Sequence, residues 1–153
     1  MWVSKAVVDT GVFVDYVDRK APYHEAARAI VNSLGQLEII LPSITLTEIC
    51  YVCARIFEAA GVKNAFEKSV EFVEWLYSHP AVRVVDSLSL NIEAARLKLQ
   101  YGIALADCYV LALSKLEGCK AVFRKREEEM PEEIENDFDV VFLEDYVGGV
   151  LNG

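Results

Sequence analysis

The chain has 153 residues, 54% of them hydrophobic and 25% charged. That suits one folded domain and excludes a disordered, collagen-like or low-complexity protein. Fifteen Lys and Arg against 24 Asp and Glu leave a net charge of −9, which argues against a protein that coats nucleic acid with a broad basic face. The longest apolar stretches, Ile39 to Thr47 and Leu99 to Ser114, are too short to span a bilayer or carry Pro42 or Asp107, so no membrane partner is expected. Met1-Trp2-Val3-Ser4-Lys5 lacks the basic flank and apolar core of a secretory leader, and the expected location is the cytoplasm. There Cys50, Cys53, Cys108 and Cys119 read as reduced thiols acting as small buried hydrophobes. Cys50-x-x-Cys53 lies inside a helical pattern without a histidine at ligand spacing, which argues against zinc.

In chain order, Ala6-Val7-Val8 predicts a buried strand stopped by a polar turn at Asp9-Thr10-Gly11. Pro22 opens a helix with apolar positions from Tyr23 to Leu34, and Gly35 closes it. Leu37 to Leu41 is a second strand ending at Pro42, after which Ser43 or Thr45 caps a helix that Gly61 breaks. Val62 to Tyr77 is amphipathic, with Phe66, Val70, Val73, Leu76 and Tyr77 along one side. Ala81 to Val85 gives a third strand, Ser89 to Leu99 a helix, and Ile103 to Leu116 a helix with almost no polar face. Lys120 to Phe123 and Val140 to Leu143 complete the strands, with a mobile loop containing a little helix expected across Arg124 to Asp139. Strands separated by helices predict a single three-layer α/β/α domain over residues 1–153 with a mainly parallel central sheet.

Three acids stand out from those on polar helix faces. Asp9 ends a buried strand, the edge where open α/β sheets bind ligands, although Asp-Thr-Gly also makes a good turn. Glu48 shares a helical row with Ile44, Val52 and Ile56, where it either serves a site or reaches water or Arg55. Asp107 is the only charged residue in the 16 from Leu99 to Ser114; a helix N-terminus favours an acid, but a buried, unpaired one is costly. A divalent ion is an economical partner for several such acids, and Mg²⁺ or Mn²⁺ prefers carboxylate oxygen.

These residues resemble the PIN-domain ribonucleases, most of all the VapC-type toxins of prokaryotic toxin–antitoxin pairs. Val7-Val8-Asp9-Thr10-Gly11-Val12-Phe13 resembles the family's opening strand, Leu46-Thr47-Glu48-Ile49 its second acidic helix, and Gly102-Ile103-Ala104-Leu105-Ala106-Asp107 the segment bearing the third acid. The resemblance implies Asp9 and Asp107 as Mg²⁺ (or Mn²⁺) ligands, Glu48 completing an acidic catalytic pocket, and Thr10 steadying the first turn. It also implies cleavage of RNA to 3′-OH and 5′-phosphate products, a homodimer and a cognate antitoxin. Two positions depart from the family. Gly11 replaces a small hydroxyl residue, and Phe123-Arg124-Lys125-Arg126-Glu127 stands where a Thr-x-Asp-x-Asp-like segment is usual. Glu127 is then the candidate fourth catalytic carboxylate, or else Lys125 sets a fixed positive charge in place of a second ion. Arg124, Lys125 and Arg126 are candidate phosphate contacts.

Asp-Thr-Gly is also an aspartic-protease signature, but those enzymes are almost entirely β. Gly11 removes the second acid that an Asp-x-Asp phosphatase needs, and no acidic pair for a receiver domain follows the first strand. The rival from another class is a weakened or inactive PIN-fold binding or assembly module.

Overall fold

Five short apolar runs become strands: β1 Ser4–Val8, β2 Leu37–Pro42, β3 Val82–Val85, β4 Lys120–Phe123 and β5 Val140–Phe142. The computed structural model describes residues 4–146; Met1-Trp2-Val3 of the leader reading lies outside them. The sheet order is β3-β2-β1-β4-β5, and every neighbouring pair is parallel. Val7 at the centre pairs with Ile40 on one side and Ala121 on the other.

Alternation along the strands divides the core in two, as the pleat requires. Ala6, Val8, Ile39 and Leu41 face one cluster, built with α1 (Thr10–Val17), α2 (His24–Val31), α3 (Ser43–Ala59) and α4 (Ala65–Ser78). Val7, Ile40, Ala121 and Phe123 face the other, with α5 (Leu88–Tyr101), α6 (Leu105–Glu117) and α7 (Glu133–Asp137). Each fully buried Leu, Ile or Phe in these clusters contributes about 1.5–3 kcal/mol over an exposed one. The expected α/β/α layering and parallel sheet are what the chain forms.

Several local expectations differ from the structure. Asp9-Thr10-Gly11 is not a free turn: Asp9 is the N-cap of α1, its Oδ2 accepting from the Gly11 amide at 3.3 Å. The strand therefore runs straight into a helix, and no separate turn intervenes. The second helix begins at His24, two residues after Pro22. Neither Ser43 nor Thr45 caps α3; Pro42 holds the N-cap position, and the Thr45 hydroxyl is buried without a hydrogen-bond partner. α4 begins at Ala65 and buries Ser69 and Leu76, while Phe66 and Tyr77 stay exposed. Ser69 fits the buried face because its hydroxyl donates to the Cys50 carbonyl of α3.

The segment 124–139 is tied down by a cation. Arg126 pairs with Glu135, Glu144 and Asp145 at 2.7–2.9 Å and lies 4.2 Å over the Phe142 ring. One guanidinium thus joins the loop, α7 and the 3₁₀ turn Leu143–Asp145. Among the described residues no helix is long and apolar enough to cross a membrane, and all four cysteines are unbridged.

Candidate functional site

In a parallel sheet with this order, β1 leads away on one side to β2 and β3, and on the other its neighbour is β4. The chain reverses direction across the sheet between β1 and β4, which opens a crevice beyond their carboxyl ends. Asp9 follows β1 directly, and its amide donates to the Val122 carbonyl of β4 at 2.9 Å. The acid is thus fixed at the mouth of that crevice by the sheet itself.

The helices deliver the rest. Glu48 lies in the second turn of α3, where its Oε1 accepts from the Thr10 hydroxyl at 2.8 Å. This bond ties α3 to α1, and no bond joins Glu48 to Arg55 among the described residues. Gly102 takes the left-handed conformation (φ +70°) that ends α5. The chain then turns so that α6 starts at Leu105 and carries Asp107 in its first turn.

Asp9, Thr10, Asp107, Lys125, Glu127 and Glu129 line a cleft of about 350 Å³. Its electrostatics are those of crowded, poorly compensated carboxylates. Burial, then Asp107, raise the Asp9 carboxyl to about 7, with a smaller contribution from Glu48. Burial, then Glu48, Glu127 and Glu129, raise Asp107 to about 6. Each charge makes its neighbours harder to ionise.

The structure therefore brings together Asp9, Glu48, Asp107 and Glu127, residues from four separate elements. Glu127 reaches the cleft from an exposed loop, and Glu129, which the sequence did not single out, joins it. Of the candidate phosphate contacts, Arg126 is engaged by three carboxylates away from the cleft. Arg124 and Lys125 line it.

One further pair was missed. Asp15 on α1 is 1% exposed and meets the Arg124 guanidinium at 3.4 Å, with its Oδ2 unpartnered. Burial raises its carboxyl above the ordinary value against the pull of Arg124. The signal was present: an acid between Val12-Phe13-Val14 and Tyr16-Val17 is as isolated among apolar residues as Asp107.

A hard divalent ion fits this donor set. The carboxylates are oxygen donors, they repel one another, and the Asp9 side chain is offset by the backbone amides of Gly11 and Thr10 but by no cation among the described residues. Among the described residues no group of three or more His, Cys, Asp and Glu side chains is arranged to hold an ion, so an ion here would take one or two carboxylates and complete its shell with water.

The PIN domain family profile matches residues 6–129, so the chain belongs to the PIN domain family. No curated relative matches by sequence. Solved structures share its fold. A chain of a toxin–antitoxin complex from Klebsiella pneumoniae is 14% identical with a TM-score of 0.60, covering 90% of this chain and 97% of that one. The sarcin–ricin-loop-cleaving toxin VapC20 of Mycobacterium tuberculosis is 14% identical with a TM-score of 0.58, over 76% and 86%. FitAcB from Neisseria gonorrhoeae is 20% identical with a TM-score of 0.57, over 90% and 97%.

Proposed function

We propose that this PIN protein, folded as one unit over residues 1–153, is a divalent-metal-dependent ribonuclease and the toxin of a toxin–antitoxin pair. The observation that carries the reading is the convergence of Asp9, Glu48 and Asp107 at the crevice between β1 and β4, where two of them ionise with difficulty. Asp9 and Asp107 would hold Mg²⁺ or Mn²⁺. Glu48, held by Thr10, and Glu127 at the rim complete the acidic pocket. When bound, the ion supplies a water of lowered pKa and stabilises charge on the phosphate.

The chain's own residues supply placement. β4 and α1 fix Asp9 by backbone hydrogen bonds, its amide donating to the Val122 carbonyl and its carbonyl accepting from the Val12 amide. The Thr10–Glu48 bond prevents Glu48 from swinging out to solvent. Because the protein is acidic overall, RNA is met at this cleft, through few phosphates, in preference to a broad basic face. Cytoplasmic residence follows from this role.

Isothermal titration with Mn²⁺ and a single-stranded RNA cleavage assay test the reading together. Binding and cleavage in the wild type, both lost in Asp107→Asn, are expected. RNA cleavage that persists in EDTA would refute the metal dependence. A second reading, a PIN-fold assembly module without activity, draws on the lack of an acid from Phe123 to Arg126; absence of Mn²⁺ binding would favour it.

The partner reading rests on α3 and α4. Phe57 and Phe72 pack partly into the core, but Tyr51, Phe66 and Trp75 remain 45–57% exposed. Leu46, Cys50, Tyr51, Phe66 and Val73 line an apolar groove between these helices. Exposed aromatic groups clustered this way suit self-association or a bound antitoxin segment. Sedimentation showing a monomer at micromolar concentration would remove the homodimer.

A further inference from the structure

The segment that follows β4 places cations where the family pattern has acids, and the structure distinguishes the three by what each one touches. Arg126 is held outside the cleft by Glu135, Glu144 and Asp145. Arg124 lies across the first turn of α1, in space that Gly11 leaves open: a Cβ at position 11 would stand 3.1 Å from the Arg124 Cβ and 3.7 Å from its Cδ. Its guanidinium then reaches the buried Asp15 carboxylate. A side chain at position 11 would therefore press on the backbone-proximal part of residue 124. Lys125 lines the acidic cleft beside Asp9, Asp107 and Glu127, and it makes no ion pair among the described residues.

Lys125 adds an ammonium to a cleft lined by the carboxylates of Asp9, Asp107, Glu127 and Glu129, which lowers the capacity of that cleft for a second divalent ion. Two-ion phosphodiester sites hold their ions about 4 Å apart and need carboxylates serving both. A lysine on that side repels the second ion and offers the substrate phosphate a hydrated point charge on a flexible stem.

We propose that Lys125 stands in for a second divalent ion: the cleft binds one ion, on Asp9 and Asp107, and the Lys125 ammonium contacts the backbone phosphate of the RNA. Arg124, fixed by Asp15, is a positioning residue that aims the strand end carrying Lys125. The identity of the anion rests on the nuclease reading; the ion count does not.

Titration calorimetry with Mn²⁺ tests the ion count on wild type, Lys125→Ala, Lys125→Asp and Lys68→Ala, after thermal melts show that all are folded. One ion is expected on the wild type, several-fold tighter in Lys125→Ala, with a second ion admitted by Lys125→Asp. Lys68→Ala removes the same charge from the exposed face of α4, outside the cleft, and sets the background. In RNA cleavage, Lys125→Ala should raise KM about tenfold with less effect on kcat, and Lys125→Arg should restore it. Two ions on the wild type, or a Lys125→Ala affinity no tighter than that of Lys68→Ala, would overturn the proposal. One ion without any RNA cleavage would instead count against the nuclease reading and leave the ion count standing.

Discussion

The two ends of the sheet handle carboxylates in opposite ways. At the amino end, Arg83 of β3 takes both oxygens of Glu117 at 2.7 and 3.0 Å and also reaches Glu38 at 3.3 Å, while Lys5 lies 3.9 Å from Glu117. Hydrogen bonding to Arg83 holds the Glu117 carboxyl below its ordinary value. At the carboxyl end, Asp9 and Asp107 have no such partner and are raised to about 7 and about 6. Acids alone do not mark a site, since both ends carry them. What distinguishes the carboxyl end is that its charge is left uncompensated at a place the fold fixes rigidly, which is the condition for recruiting a cation.

The strongest way to break this contrast is to remove a carboxylate from the open end. Asp107→Asn should lower RNA cleavage more than ~100-fold, because losing a metal ligand costs more than losing a supporting hydrogen bond. Cleavage rates with and without Mn²⁺ check it, and wild-type turnover in the variant would sink the assignment. The next largest effect concerns the ion pair beside the cleft. Arg124→Ala leaves Asp15 buried without a cation and should destabilise by ~2–3 kcal/mol, read from urea midpoints. Asp15→Asn in the same background should recover part of that loss.

The pH dependence of the metal-free protein sharpens the comparison further. Asp9 and Asp107 bind protons more tightly folded than unfolded, since their ordinary value is 3.8. Between about pH 4 and pH 7 the folded state therefore holds more protons, and stability falls as pH rises through that window. The loss should be ~1–2 kcal/mol, given that the cleft is open to solvent. It should shrink in Asp9→Asn, where the share of Asp107 remains, and be reversed by Mn²⁺, which binds the ionised form. Glu117, with its lowered value, acts in the other direction, losing its contribution as pH falls below the ordinary glutamate value. Arg83→Ala at that paired end should cost below ~1 kcal/mol, shrink with added salt and leave Mn²⁺ affinity untouched.

The sheet and its layers were legible because each strand is built on a short apolar run, and Asp107 was legible because it interrupts the apolar run of α6. The opening of α1 was not, since Asp9-Thr10-Gly11 satisfies turn chemistry and helix capping equally well; only packing of Val12, Phe13 and Val14 into the core selects the helix. The face of α4 was misread because Ser69 looks polar until its hydroxyl finds the Cys50 carbonyl. Asp15 escaped notice for want of a visible partner: Arg124 is 109 residues away, and no local pattern joins them. Glu129 belongs to the cleft through the path of a loop, which periodicity does not encode.

Arg126 gives the segment bearing Lys125 and Glu127 an attachment unlike that of any strand in the sheet. The rim of the cleft is moored by ion pairs at the surface, whereas its floor is built on a buried backbone lattice. Dissolved salt weakens the mooring and barely touches the lattice. In concentrated salt, amides 126–130 should exchange hydrogen faster while those of β1 and β4 keep their protection, a contrast of a few-fold that Arg126→Ala should erase. The ionic strength around the protein thus acts on how firmly the rim is held and leaves the floor of the cleft alone.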